Sequence, residues 1–150
     1  MPVYYPPFGS IGLPSTAYTP VLKGATDDPS AATYSTQVGR YILVNKLCFF
    51  TVKLVTTSIT KTTLTDAVRI SLPFASANNT NQIAQIHAHA ENGTPVQNAN
   101  RAYISPNVSY LNLAQLGLTV AQVDITYALL SLGVLTNTIT FEASGIYEVA

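Results

Sequence analysis

Apolar and polar residues alternate with a period of two along most of this chain, and short clusters of Asn, Gly, Pro and Asp separate the alternating stretches. That is the pattern of β-strands joined by turns. The clearest stretch is Gly39 to Val55, GRYILVNKLCFFTVKLV. Asn45-Lys46 lies between two runs of strand-forming residues. Asparagine tolerates the positive φ of a tight hairpin turn, although glycine would suit the second position better than lysine. A two-residue loop pairs Val44 with Leu47, Leu43 with Cys48, Ile42 with Phe49 and Tyr41 with Phe50, because antiparallel partners share a face. Tyr41, Leu43, Cys48, Phe50, Val52 and Leu54 then point into a core, with Ile42, Phe49, Thr51 and Lys53 on the other side. A slip of one residue would bury Lys53, so the register is firm.

The same reading predicts a strand over Tyr18 to Leu22, a loop over Ala25 to Ala32, and Thr33 to Val38 leading into the hairpin. A Thr-rich turn region, Thr56 to Asp66, follows. Ala67 to Leu72 alternates again, with Val68, Ile70 and Leu72 inward, and Pro73 closes that strand. Ile83 to Glu91 places Ala84, Ile86, Ala88 and Ala90 on one face and Gln85, His87, His89 and Glu91 on the other. Asn92-Gly93 is a turn signal, and Arg101 to Ser105 and Val108 to Leu113 are two further strands around Pro106-Asn107. Thr119 to Gln122 fits a capping box, predicting a helical turn through Asp124. Thr136 to Ala143 and Ile146 to Val149, split by Ser144-Gly145, form a closing pair. The expected fold is an all-β, antiparallel β-sandwich of jelly-roll type over residues 16–150.

Residues 1–15 are different. Pro2, Pro6, Pro7 and Pro14 alternate with Tyr4, Tyr5 and Phe8, and prolines at this density favour an extended strap over a helix. Such an arm cannot bury its own aromatic rings, so it is either disordered or laid across another surface; a disordered tail is expected to be aromatic-poor, which favours Tyr4, Tyr5, Pro6, Pro7 and Phe8 lying against a partner.

Composition narrows the partners. Only 9% of the 150 residues are charged and net charge is zero, against roughly 25% charged in an ordinary soluble domain. No basic field exists to draw in nucleic acid or an anionic membrane. A chain this neutral and apolar is expected to hide surface in an assembly. Its length allows one domain. Cys48 offers no disulfide and is read as a small buried hydrophobe. MPVYYPPFGS lacks the basic and apolar regions of a leader, and the apolar run Tyr127 to Leu135 is too short to span a bilayer, so synthesis in a cytoplasm is expected.

Candidate chemistry is sparse. His87-x-His89-x-Glu91 is the one constellation with ligand spacing, because alternate residues of a strand project to the same side. One chain supplies too few donors for a closed metal site, so His87 and His89 are read chiefly as a solvated or interface face. Asp27-Asp28 is read as a solvated turn. There is no Gly-x-Ser-x-Gly elbow, P-loop, dinucleotide fingerprint or zinc-protease helix motif, and seven scattered acids give no cleft of displaced pKa values. Neither catalysis nor a cofactor is expected.

The order of segments resembles a small β-sandwich module of tailed phages. The likeness rests on Tyr18-Thr19-Pro20-Val21-Leu22, Tyr34 to Gln37, Gly39-Arg40-Tyr41, the hairpin with Phe49-Phe50, Arg69 to Phe74, Thr138 to Phe141 and Gly145 to Val149. Similar modules close tail fibres and form capsid decoration (cement) proteins. The family's Gly-Asn turn is replaced here by Asn45-Lys46. A short chain with an aromatic arm is more similar to a decoration protein than to a fibre end. The resemblance implies a homotrimer on the exterior of a virion head that clamps the major capsid protein. The alternative it implies is a tail-fibre or tail-tip protein that contacts host glycan.

Overall fold

The computed structural model describes residues 13–80, 83–91, 101–116, 122–124 and 138–150. Among these are ten β-strands and no helix: β1 (Thr16–Tyr18), β2 (Leu22–Lys23), β3 (Ala31–Val44), β4 (Leu47–Thr60), β5 (Arg69–Ser71), β6 (Ala84–Glu91), β7 (Arg101–Ile104), β8 (Tyr110–Leu116), β9 (Gln122–Asp124) and β10 (Thr140–Glu148). Every pairing is antiparallel, along the path β1-β3-β4-β10-β6-β7-β8-β5-β2, with β9 also on β8. The all-β, antiparallel architecture is thus what the alternation predicts. A jelly-roll path is not legible in this strand order.

The hairpin forms in the predicted register: Val44 pairs with Leu47, Leu43 with Cys48, Ile42 with Phe49 and Tyr41 with Phe50. Asn45 takes a φ of 54°, and among the described residues Asn107 is the other non-glycine with a positive value. Positive φ at the first loop residue alone is the demand of a type II′ turn, so Lys46 is spared the conformation that would disfavour it. The ladder extends past the predicted end. β4 runs on to Thr60 and pairs back to Ala31, across shifts of register near Tyr34. The expected Thr-rich turn therefore begins later, because Thr56 is wholly buried and exchanges hydrogen bonds with the backbone of Ile139.

Three further expectations change. The single strand Tyr18 to Leu22 is two short ones, since Pro20 has no N–H to give a ladder. Its carbonyl instead accepts from Gln37 Nε2 at 2.9 Å while the chain passes from β3 to β5. Ser144-Gly145 does not split the last strand: β10 pairs with β4 without interruption from Thr140↔Val55 to Glu148↔Leu47. Gln122–Asp124 is strand, not the end of a helical turn, because it pairs with Ala114 to Leu116. The rest of the predicted capping box, and the Asn92-Gly93 turn, lie outside the described residues.

β6 joins the two halves of the ladder. Ala84 to Ile86 pair with β7, whereas His87 to Glu91 pair with β10. Buried residues from both halves, among them Leu54, Phe141 and Tyr147 from one and Ile70, Leu113 and Ile104 from the other, form one hydrophobic cluster. Ala84, Ile86, Ala88 and Ala90 face that core as the alternation predicts, and so do Val68, Ile70 and Leu72.

Candidate functional site: the outer face of the hairpin sheet

Because β3, β4 and β10 are in register, their outward residues form rows that can be read from the pairing. Val44, Leu47 and Glu148 make the row nearest the hairpin turn; Ile42, Phe49 and Ile146 the next; Arg40, Thr51 and Ser144 the third; Val38, Lys53 and Glu142 the fourth. β6 adds His87 to the third row and His89 to the fourth. The first two rows are apolar apart from Glu148, and Val44, Leu47, Phe49 and Ile146 are exposed, Ile146 at 49%. Leu43, expected in the core, is 44% exposed although its partner Cys48 is fully buried. The β3 end of the hairpin overhangs the core.

Two hollows flank this apolar block and share Ile146. One, of about 450 Å³, is bounded by Leu47, Ile83, Ile104, Pro106 and Glu148. The other, of about 430 Å³, is bounded by Ser15, Arg40, Ile42 and Phe49. Arg40 Nη1 donates to Ser15 Oγ at 3.1 Å, so the chain ahead of β1 arrives at the lip of the second hollow. The arm residues Tyr4, Tyr5, Pro6, Pro7 and Phe8 lie outside the described residues.

His87 and His89 do share the outward side of β6, beside a smaller recess of about 190 Å³ bordered by Lys53, Glu142 and Ser144. Glu142 is already engaged: Lys53 Nζ donates to its Oε1 at 2.6 Å. That hydrogen bond and charge hold the Glu142 carboxyl below its ordinary value. Among the described residues no cluster of three or more His, Cys, Asp or Glu side chains could hold a metal. The two imidazoles belong to a polar border of the apolar block.

The opposite half carries a polar row of its own. Arg69 Nε donates to Asn112 Oδ1 at 2.9 Å, and its guanidinium lies 4.1 Å from the centre of the Tyr110 ring. Tyr103 donates to Asp124 Oδ1 at 2.9 Å. Burial, reinforced by that carboxylate, pushes the Tyr103 phenol up to about 12.

Asp27-Asp28 is not the simple solvated turn expected. Asp28 does pair with Lys23 at the surface, but Lys61, with no side-chain exposure, lies 2.9 Å from Asp27 Oδ1 and 2.8 Å from Asp66 Oδ2. Asp66 also accepts from the N–H groups of Thr26 and Asp27. A lysine just past the end of β4 gives no local sign of the full pairing, because Asp27 comes from a separate loop more than thirty residues away.

The outward block was partly visible in the sequence. Ile42 and Phe49 are placed correctly by the hairpin alternation, but Ile146 is missed because Ser144-Gly145 resembles a turn. Following Phe141, Ala143, Gly145 and Tyr147 as one inward series would have found it. Comparison of the chain with family models, with curated proteins and with solved structures finds no match.

Proposed function

We propose that this chain is a structural virion component, a capsid decoration protein that associates with itself on a phage head and bridges major capsid subunits. In this reading it is not an enzyme, and it takes no cofactor. The observation that carries the reading is the outward block of Ile42, Leu47, Phe49 and Ile146, on a chain with few charged residues and no net charge, with Ser15, the last residue of the N-terminal arm, beside it. Contiguous exposed apolar surface rimmed by polar residues is a usual mark of an interaction site.

The division of labour follows from that placement. The folded domain supplies a rigid apolar face for assembly, three copies being the expected number. Tyr4, Tyr5 and Phe8, set among Pro6 and Pro7, anchor on neighbouring shell subunits. An arm and a face that engage together raise each other's effective concentration, and so hold adjacent capsid subunits against the pressure of a packaged genome. The tail-tip alternative needs open aromatic faces for sugar stacking. It draws less support from the far half of the ladder, because one face of Tyr110 is covered by Arg69 and the Tyr103 hydroxyl is taken by Asp124, which leaves it the Phe49 ring of the apolar block.

Deleting residues 1–14 should abolish binding to purified phage heads lacking this protein while leaving the far-ultraviolet circular dichroism unchanged. Full occupancy by the shortened chain would refute the role given to the arm. Imaging that placed the protein at the tail tip, with host cells bound and heads ignored, would replace the proposal with its alternative.

A further inference from the structure

We infer that copies of this chain associate with one another through the outward block centred on Phe49, with Arg40 of each copy meeting Glu148 of its neighbour. The inference deepens the assembly part of the virion reading and names its surface. Sheet register supplies the geometry. Val44 and Ile42 on β3, Leu47 and Phe49 on β4 and Ile146 on β10 are adjacent on one face. Val44, Leu47, Phe49 and Ile146 are each between 36% and 49% exposed. A standard protein interface takes about 800 Å² from each partner, with an apolar centre and a polar rim. The block supplies such a centre, and Arg40, Thr51, Ser144 and Glu148 supply the rim.

Charge placement identifies the partner as a second copy. Arg40 stands on the β3 flank and Glu148 on the β10 flank, at opposite corners of the block. The fourth row is neutralised internally by Lys53 and Glu142. A face of one sign would repel its own copy, whereas opposite charges on opposite flanks attract it. A closed arrangement that sets the β3 flank of one copy against the β10 flank of the next would repeat this one contact at every interface. Neither charge is locked in place. Among the described residues Arg40 reaches Ser15 Oγ by the hydrogen bond described above, and Glu148 Oε2 accepts from Asn79 Nδ2 at 2.7 Å in an exposed contact.

The test is sedimentation equilibrium of the full chain over a range of concentrations, with circular dichroism as the control for folding. The wild type should form a closed oligomer. Ile146→Glu should weaken association at least about tenfold, as expected for a charge at the centre of an interface. Arg40→Glu and Glu148→Arg should each weaken it, and the double exchange should restore it. A monomeric wild type would overturn the inference. So would an oligomer indifferent to Ile146→Glu, or exchanges that never restore one another. If deleting residues 1–12 were needed before copies associated, the arm would be the occupant of this face and the inference would fail. Head binding is read separately: an oligomer that ignores phage heads leaves this inference standing and removes the virion reading, whereas a monomer that binds heads does the reverse.

Discussion

At Asp66 two opposing effects act on one carboxyl group. Burial by itself would raise its pKa, but the Lys61 ammonium and the N–H groups of Thr26 and Asp27 outweigh it, holding the group well below the ordinary carboxylate range. Lys61 shows the mirror case: burial alone would lower it, and Asp27 and Asp66 hold it above its usual value. A carboxylate depressed on folding contributes stability at pH values above its unfolded value of about 4, and that contribution is lost as pH falls through and below this point. A raised lysine contributes below its unfolded value of about 10.5 and loses that contribution only in stronger alkali. Asp66→Asn should therefore cost about 2 kcal/mol near neutral pH, since it removes one of the two carboxylates on the buried Lys61 and leaves Asp27 as the other. The difference from the wild type should shrink as pH drops from about 7 to about 2. Urea midpoints measured across that range check it, and a gap that stayed constant would mean that the ion pair is not the source. No local pattern marks the whole cluster, because Thr26 and Asp27 reach Lys61 and Asp66 only after β3 and β4 have paired. Asn45 is the opposite case. Its positive φ is a property of the residue and its two neighbours, and it could be read directly from the sequence.

At the level of elements, what could be read in advance was whatever depends on alternation and short turns, and what could not was whatever depends on a distant partner. The register of β3 on β4 and the inward series of β6 follow from period-two patterning. The end of β4 and the continuity of β10 do not, since Thr56 and Gly145 each carry a local signal that a partner overrides. Thr56 is a polar residue whose hydroxyl is satisfied by Ile139, which lets the strand pass through the core. Gly145 marks a close approach: a methyl group there would stand 2.4 Å from Ile86 Cδ1. This contact lies where β6 parts from β10, just beyond the pair Ser144↔His87. Gly145→Ala should thus destabilise by about 1–3 kcal/mol through overpacking, and trimming the opposing side chain with Ile86→Val should recover part of the loss. Thermal unfolding of the single and double variants measures it. An unchanged midpoint for Gly145→Ala would show that the backbone needs no glycine here.

For the molecule as a whole, the last strand occupies a central place: β10 lies between β4 and β6 and carries Phe141, Ala143 and Tyr147 into the core. Without it the two halves of the ladder lose their connection. β4 and β6 would each expose a ladder edge, and the apolar faces now gathered into one cluster would lose their cover. The N-terminal end is related to the core in another way. β1 is a three-residue strand on the rim of the ladder, and the arm precedes it. Truncation should therefore be sharply asymmetric. Removing residues 140–150 should abolish cooperative unfolding and leave an aggregating chain, although it takes fewer residues than the arm deletion that should leave the fold intact. Pairing of β10 with β4 also closes a loop of some eighty residues, which cannot form until the C-terminal strand is available, so folding should be slow for a chain of this size. Stopped-flow refolding and limited proteolysis of the truncated chain test both statements. A chain lacking β10 that resisted protease and melted cooperatively would mean that the core is organised around the β3-β4 hairpin alone.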